Sequence, residues 1–303
     1  MGSLYNPHIL QIGLGQLGSV LMTALRSAGW SVQGARRHPT QPSECALNAA
    51  QPWASSLMNL HAMPTDVVLC LAPSGRTLAA YQQAYWQPAH EGLRWCQAVV
   101  PQAHVWLISS TSVYAQQQGE WVDEWAPAEP QRPTAQCIQQ AEQVWLDSPQ
   151  PVTVLRLGGL YGPGREYLLR QAAQPTAIAD AEPIYTNRIH VNDVAGALVH
   201  LLKRRHAGQP VAPIYNVVDQ DPAPLQAILP AIRAALGWPE PTEVAQLGRG
   251  SKRVSAQALA NTGFIWRYPS WRDGYAEILA AKRKAGVTAQ MQLADAPLTR
   301  NQA

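Results

Sequence analysis

The stretch of sequence that decides the fold is HILQIGLGQLG, residues 8–18. Its first five residues are largely apolar and β-prone, and apolar residues recur at helical spacing from its end to Ala28. A strand, a glycine turn and a helix in this order predict a dinucleotide-binding fingerprint. In such a turn Gly13 permits the tight bend, Gly15 lets the backbone approach a pyrophosphate, and Gly18 lets helix and strand pack closely.

The end of the second predicted strand bears on the choice of dinucleotide. An NAD-specific site would place Asp or Glu on the ribose roughly 20 residues after the fingerprint, whereas this strand ends Gly-Ala-Arg-Arg at residues 34–37. Arg36 or Arg37 can form charge-assisted bonds to a 2′-phosphate, so the sequence predicts NADP, with NAD less favoured. The alternative is a pair of solvated arginines. The predicted cofactor-binding residues are Gly13, Gly15, Gln16, Leu17, Gly18, Arg36, Arg37, Leu71 and Ala72.

Strands and helices alternate outward from the fingerprint. Strands are predicted at residues 30–35, 66–72, 104–108 and 152–157, and helices at 76–99, with an interruption near Pro88, and at 134–146. Residues 38–65 have weak periodicity, so the element expected there is short or irregular. This alternation predicts an α/β fold with a Rossmann-type doubly wound parallel sheet.

The pattern of predicted strands and helices changes beyond Pro163. A strand, a helix, a strand and a helix are predicted at residues 184–191, 193–205, 214–218 and 225–236. We therefore predict an NADP-binding domain over 7–165 and a smaller C-terminal substrate-binding lobe over 166–285, some elements of which can return to the sheet. Residues 286–303 are polar and aperiodic, which predicts a flexible tail.

The composition excludes several classes of protein. Hydrophobic residues make up 47% of the chain, charged residues 14%, and the net charge is only +3, which disfavours disorder and nucleic-acid binding. No apolar run approaches the roughly 18 residues of a membrane span, and no signal peptide is recognisable, so we expect a cytoplasmic protein without membrane contact. The four cysteines form no CxxC motif, and neither a metal site nor a disulfide framework is predicted.

Three further motifs carry a family resemblance. They are SSTSVY at 109–114, LRLGGLYGPGR at 155–165 and NRIHVND at 187–193. Together with the glycine turn they resemble the NAD-dependent epimerase/dehydratase family, the extended and atypical short-chain dehydrogenases, and are closest to its YeeZ-like atypical branch. The segment from Gly263 to Tyr275 fits the family's C-terminal end. The resemblance implies an NAD(P)-dependent oxidoreductase or epimerase, but does not indicate the substrate.

The resemblance also implies which residues do the chemistry. The family's Ser or Thr that binds the reacting oxygen is Ser110 here. A Tyr and a Lys usually follow at positions i and i+4 of the helix after a proline, where they share one helix face. Counted from Glu142, these positions hold Thr134 and Ile138, and no Tyr or Lys occurs anywhere in residues 121–151. The sequence therefore predicts that the usual acid–base pair is missing.

Candidate substitutes come from the other motifs. Tyr114, Tyr161 and His190 are the candidate proton-transfer residues, although buried packing is the alternative role for Tyr114 and His190. Arg165 and Arg188 suit a carboxylate or phosphate on the substrate, together with Ser110 on the reacting oxygen.

Three kinds of function remain open from the sequence. The first is an oxidoreductase or epimerase that acts on a small polar or anionic, sugar-like metabolite. The alternatives are a non-catalytic NADP-binding sensor or scaffold, and a non-redox isomerase or cyclase that uses the same cleft. Fold does not decide between them. The resemblance further implies a homodimer that pairs the helices at residues 76–99 and 134–147.

Overall fold

The computed structural model describes residues 7–58 and 60–285. The strands, in chain order, are β1 (His8–Ile12), β2 (Ser31–Arg36), β3 (Glu44–Ala46), β4 (Asp66–Leu69), β5 (His104–Ser110), β6 (Gln118–Val122), β7 (Val152–Leu157), β8 (Gly159–Tyr161), β9 (Thr176–Ile178), β10 (Tyr185–Thr186), β11 (Arg188–His190), β12 (Ile214–Val217), β13 (Ala223–Pro224), β14 (Glu243–Ala245) and β15 (Ser251–Val254). The helices are α1 (Gln16–Ser27), α2 (Leu78–Tyr81), α3 (Gln87–Val99), α4 (Pro133–Leu146), α5 (Tyr167–Ala173), α6 (Val191–His206), α7 (Leu225–Leu236), α8 (Gln257–Ala260) and α9 (Trp271–Ala285).

Seven strands form the central sheet, in the order β12-β7-β5-β4-β1-β2-β3. The pairs β1–β2, β1–β4, β2–β3 and β4–β5 are parallel. Strands β1 and β4 are buried along their whole length, as expected for strands covered on both faces. The sheet confirms the predicted Rossmann-type α/β fold. Its order reverses beside β1, so the carboxyl ends of β1 and β4 flank a crevice of the kind in which such sheets bind ligands.

The predicted helix over residues 76–99 is present but is wound differently from the prediction. Helices α2 and α3 are joined without a break by a π-helical turn, Gln82–Trp86. Pro88 follows in the first turn of α3. Proline is tolerated at the start of a helix because its missing N–H would have no partner there. The helix is therefore not interrupted at Pro88. Its winding changes from π-helical to α-helical just before that residue.

The weakly periodic segment between β2 and β4 is held mainly by an aromatic side chain. Among the described residues of this segment, 37–58 and 60–65, β3 is the only regular element, and it pairs with β2. Trp53 is 1% exposed, donates a hydrogen bond to the Ala49 carbonyl at 3.0 Å, and lies with its ring centroid 6.1 Å from that of Trp95. A large buried indole thus replaces a helix as the anchor of this segment.

The chain divides into two compact units. Within the described residues, the first comprises 7–58, 60–115, 127–156 and 194–215, and the second comprises 116–126, 157–193 and 216–285. The units interleave, whereas the predicted domains meet once, at residue 165. Residues 157–165 group with the second unit, and α6 from Val194 onward groups with the first. The predicted tail, 286–303, lies outside the described residues.

Each unit has a core of its own. In the first, buried side chains of β1, β4 and β5 pack with Trp95 and Trp145. In the second, α5, α7 and α9 pack around Tyr161 and Tyr275. Within residues 7–58 and 60–285, no helix is long and apolar enough to cross a membrane.

Candidate functional site

The glycine turn after β1 is closely packed on its protein side. Gly13 has φ +94°, and a Cβ there would lie 2.2 Å from the Cys70 carbonyl oxygen, so no other residue fits without strain. A Cβ on Gly18 would lie 2.1 Å from the Gly13 carbonyl oxygen. The fully buried Gln11 side chain donates to the Gly18 carbonyl at 2.6 Å. These contacts fix the turn against the first helix.

Gly15 faces the opposite way. It is exposed at the N-terminus of α1, and a Cβ there would meet no protein atom within 4 Å. The residue lines a cleft of about 510 Å³ at the carboxyl edge of the sheet. Backbone N–H groups at a helix N-terminus attract phosphate, and the open face of Gly15 leaves room for one. This half of the cleft therefore fits a dinucleotide pyrophosphate.

The predicted cofactor residues divide by their position around this cleft. Those that line it are Gly13, Gly15, Arg36, Arg37, Leu71 and Ala72. Leu17 and Gly18 are buried. Gln16 is exposed and is the first residue of α1. From this position its backbone N–H can donate to a phosphate at the helix N-terminus. The cleft is also lined by residues 48–51 and by the helical residues Ala80, Gln83, Ala84 and Gln87, which the sequence prediction missed.

The end of β2 supplies positive charge to the cleft. Arg37 is exposed, and Arg36 is half-buried with its Nη1 3.4 Å from the Thr40 hydroxyl and 4.0 Å from the Glu44 carboxylate. Glu44 does not line the cleft, and its carboxylate accepts a hydrogen bond from the Thr40 N–H at 2.7 Å. A 4.0 Å separation is a weak ion pair, so both guanidinium groups can reach an anion in the cleft.

Strand β5 carries the predicted Ser110 to the same edge of the sheet. Ser110 is half-buried, and its hydroxyl accepts a hydrogen bond from the Ser112 N–H at 3.1 Å, which caps the short 3₁₀ turn Thr111–Val113. The hydroxyl proton is not used in this bond. Ser110 can therefore donate a hydrogen bond to an oxygen placed beyond the end of β5.

Behind Ser110 lies a buried charged network. Glu142 of α4 is 1% exposed and accepts hydrogen bonds from the Ser109 hydroxyl and from the Arg156 guanidinium, at 2.6 Å for Nη2. Arg156 also donates to the Tyr114 hydroxyl at 3.0 Å and lies 4.9 Å from the Tyr114 ring centre. Burial alone would lower the Arg156 pKa, but the Glu142 carboxylate outweighs it and raises that pKa. The network favours a structural role for Tyr114, one of the candidate proton-transfer residues.

Helix α4 carries Thr134 and Ile138, which the sequence analysis assigns to the family's Tyr and Lys positions. Thr134 is half-buried and Ile138 is buried. Ile138 lines a small cavity together with Ser109 and Tyr85 of the π-helical turn. No side chain of α4 is a Tyr or a Lys. The sequence prediction did not include Tyr85.

The second unit brings Tyr161 and His190 together. Their ring centroids are 5.2 Å apart, and Tyr161 stacks on Tyr275 at 4.9 Å. The His190 Nδ1 accepts the Asn192 N–H at 3.1 Å, and burial lowers the His190 pKa to about 4. Burial raises the Tyr161 pKa above its usual range. At neutral pH both side chains are uncharged, and His190 would be a poor base.

The predicted substrate arginines also lie in the second unit. Arg165 is buried, and its backbone forms an isolated antiparallel β-bridge with that of Gly162. Arg188 is 8% exposed, and in the described chain neither its Nε nor the Oδ2 of the nearby Asp219 has a hydrogen-bond partner. Burial lowers the Arg188 pKa and raises the Asp219 pKa. A buried cation without a paired carboxylate is costly, so Arg188 suits an anionic partner.

Asp193, in the NRIHVND motif, has a structural role. Its carboxylate accepts hydrogen bonds from the N–H groups of Arg267 and Tyr268 at 2.8 and 3.0 Å. Within residues 7–58 and 60–285, no cluster of three or more His, Cys, Asp or Glu side chains is placed to hold a metal ion.

Comparison with known proteins places these features in a family. The model of the NAD dependent epimerase/dehydratase family matches residues 12–217. Protein YeeZ of Escherichia coli K12 is 28% identical over 272 residues, which are 85% of this chain and 95% of YeeZ. A 3-diazoavenalumate denitrifying reductase of a Streptomyces species is 31% identical over 161 residues, which are 46% of this chain and 51% of that protein.

Solved structures share the fold. A Methylobacillus flagellatus protein assigned as an NAD-dependent epimerase/dehydratase is 30% identical, with a TM-score of 0.77 over 92% of this chain and 99% of that one. An Agrobacterium tumefaciens short-chain dehydrogenase/reductase superfamily protein with bound NAD is 19% identical, with a TM-score of 0.75 over 94% and 99% of the chains. Human SDR39U1 with NADPH is 18% identical, with a TM-score of 0.69 over 90% and 99%.

These matches agree with the site. The glycine turn, the cleft and the Ser110 motif all lie within the matched residues, and proteins of this fold bind NAD or NADPH. A nicotinamide dinucleotide is therefore the cofactor that the cleft fits. The chain belongs to the NAD-dependent epimerase/dehydratase family.

Proposed function

We propose that the protein is an NADP(H)-dependent reductase of a small polar or anionic molecule. The observation that carries the proposal is the pairing of Gly15 with Arg36 and Arg37 around one cleft. The glycine leaves space for the pyrophosphate, and the arginines supply positive charge where the adenosine ribose of a bound dinucleotide would lie. A 2′-phosphate carries close to two negative charges, which a guanidinium group matches well.

Reduction is favoured over alcohol oxidation. When bound, NADPH supplies a hydride to an electrophilic atom of the substrate. Alcohol oxidation and carbonyl reduction need the same proton relay in opposite directions, and Thr134 and Ile138 cannot supply it in either. The Streptomyces relative is named a reductase, which supports the direction of reduction. Ser110 would donate a hydrogen bond to the reacting oxygen. Within the second unit, the buried Arg188 suits an anion.

Deuterium transfer tests this function. NADPH carrying deuterium at C4 is incubated with a panel of 2-oxo acids and phosphorylated aldoses, and the products are examined by mass spectrometry. We expect deuterium in at least one product, from only one face of the nicotinamide, and a rate at least about tenfold lower for Ser110→Ala. Tight NADPH binding without transfer to any probe would contradict the proposed reaction.

A non-catalytic NADP sensor is the second candidate. The absence of an ionisable side chain at positions 134 and 138 favours it, because a sensor needs no proton relay. A sensor would bind NADPH and respond to it without consuming it. The deuterium experiment separates the two, since only the reductase transfers the label.

Two further properties are proposed. None of the four cysteines, all within the described ranges, forms a disulfide, which agrees with a reducing, cytoplasmic location. The helical segment Leu78–Val99 and α4 would pair with a second copy in a homodimer. The 38% exposed Trp86 supports this pairing. Light scattering at micromolar concentration should give the mass of two chains, and a strict monomer would remove this proposal.

A further inference from the structure

The strand order shows where each half of a bound dinucleotide would lie. Arg36 and Arg37 end β2, so the adenosine half lies beyond β2 and the glycine turn of β1 receives the pyrophosphate. The nicotinamide half must then lie toward β4 and β5, on the other side of β1. Leu71 and Ala72, which follow β4, line that half of the cleft.

A second cavity lies beside this nicotinamide half. Ala84 and Leu71 line both the cleft and this cavity, so the two are neighbours. The other lining residues come from the ends of β4 and β5, from α3 and from α4, and they include Ser109 and Ile138. The space open to a water molecule is about 10 Å³, which is room for one water at most. Its walls are almost entirely apolar.

Tyr85 is one of the residues that line this cavity. It is half-buried on the π-helical turn Gln82–Trp86, and such turns are frequent at functional sites. Within the described ranges, its hydroxyl has no hydrogen-bond partner. The cavity also receives Ile138, which the sequence analysis assigns to the position of the family's Lys. Because the Ile138 side chain is apolar, another residue would have to make the polar contacts on this side of the cleft.

We propose that Tyr85 takes over the proton-transfer role at the nicotinamide end of the cleft, donating its phenolic proton to the reacting substrate atom through the single water that the cavity has room for. This inference rests on the proposed reductase function. In this reduction, the carbonyl carbon of the substrate would gain a hydride from NADPH, and the carbonyl oxygen would gain the proton that the Tyr85 hydroxyl releases. The products are the alcohol and NADP⁺, and the phenolate regains its proton from water.

The surroundings of Tyr85 suit a donor rather than a base. Burial raises the Tyr85 pKa above its usual range, and the neighbouring Tyr81, Cys70 and Cys137 add to the effect. The phenol therefore keeps its proton at neutral pH. A protonated phenol can assist reduction, whereas the reverse oxidation would need the phenolate.

Fluorine NMR tests the position of Tyr85 without turnover. We would place 3-fluorotyrosine at position 85, or at position 81 as a control, and titrate with NADPH or with adenosine 2′,5′-bisphosphate, which lacks the nicotinamide. The label at 85 should shift with NADPH and not with the bisphosphate, and the label at 81 should shift less with either. An unchanged resonance at 85 with NADPH bound, or equal shifts with both ligands, would overturn the inference.

Turnover provides the second test. With the probe that accepts deuterium, Tyr85→Phe should lower the single-turnover rate by about 10²-fold or more at unchanged NADPH affinity, while Tyr81→Phe stays within about threefold of wild type. A Tyr85→Phe rate at least half that of wild type would contradict a proton donor. Failure of NADPH to bind in calorimetry would overturn the proposed function, and this inference with it.

Discussion

At the scale of single residues, Gly15 and Gly18 belong to one turn but face different surroundings. A Cβ on Gly18 would collide with the Gly13 carbonyl, whereas a Cβ on Gly15 would meet only open cleft. We expect Gly18→Ala to lower the free energy of unfolding by about 1–3 kcal/mol, as overpacking does. Gly15→Ala should cost about 1 kcal/mol or less, because it changes only a helix N-cap.

The two variants should rank in the reverse order for ligand binding. Gly15→Ala places a methyl group where the pyrophosphate would lie, so its NADPH affinity should fall at least about tenfold. Urea denaturation and calorimetric titration measure the two effects separately. Equal losses of stability would contradict the difference in packing, and an unchanged NADPH affinity of Gly15→Ala would show that the open face of Gly15 is not a ligand surface.

Residue positions near the fingerprint could be predicted from the sequence because glycine and arginine act there through the backbone or through charge. The spacing from Gly13 to Gly18 and the Arg36–Arg37 pair needed no tertiary contacts to be recognised. Gln11 and Tyr85 could not be recognised in this way. Their positions depend on the turn above Gln11 and on the π-helical turn that carries Tyr85, and neither leaves a sequence pattern.

At the scale of elements, the Glu142–Arg156 pair joins α4 to β7. Both side chains are at least 95% buried, and Ser109 of β5 and Tyr114 complete their hydrogen bonds. Removal of one partner leaves a buried charge uncompensated, so Glu142→Gln should lower the free energy of unfolding by about 3–5 kcal/mol. Urea denaturation measures this loss.

The exposed pair of Glu91 and Arg94 is the matched control. It has a similar 2.9 Å contact on α3, but the Arg94 side chain is 71% exposed. Glu91→Gln should cost about 1 kcal/mol at most, because exposed ion pairs contribute little. If the two variants lose similar stability, the buried network does not anchor α4.

Elements with strong periodicity were predicted within a few residues. β1, α1, α4 and α7 begin and end close to their predicted bounds because each has an apolar face of the right period. The π-helical turn was not predicted, because helical periodicity does not distinguish its winding from that of an α-helix. The sequence predicted that some C-terminal elements can return to the sheet but not which ones, because that depends on contacts between distant parts of the chain.

At the scale of the whole molecule, buried histidines make folding sensitive to pH. Burial lowers the pKa of His104 to about 4, and the Arg205 cation adds to the shift. The unfolded chain titrates near 6.5, so it alone binds the proton as pH falls from 6.5 toward 4. The free energy of unfolding should therefore fall over that window, by at most about 3 kcal/mol for this group. Below pH 4 the titration of His104 should change it little.

Denaturation at several pH values checks this expectation. Two further histidines are buried: His190 has the same lowered pKa and should contribute a similar slope, and burial also lowers the pKa of His8. His104→Gln should therefore flatten the curve between pH 6.5 and 4 by at most about half. A wild-type stability that is constant across this window would mean that none of these histidines is buried in its neutral form.

The central claim is that the cleft binds NADPH through Arg36 and Arg37. Calorimetric titration of NADPH and NADH into the wild type and into Arg36→Ala/Arg37→Ala tests it most directly. Charge-assisted bonds contribute about 1.5–3 kcal/mol each, so the wild type should prefer NADPH by about tenfold to a hundredfold. The double variant should lose this preference while keeping its NADH affinity. Equal affinities in the wild type, or a preference that the double variant retains, would contradict the account.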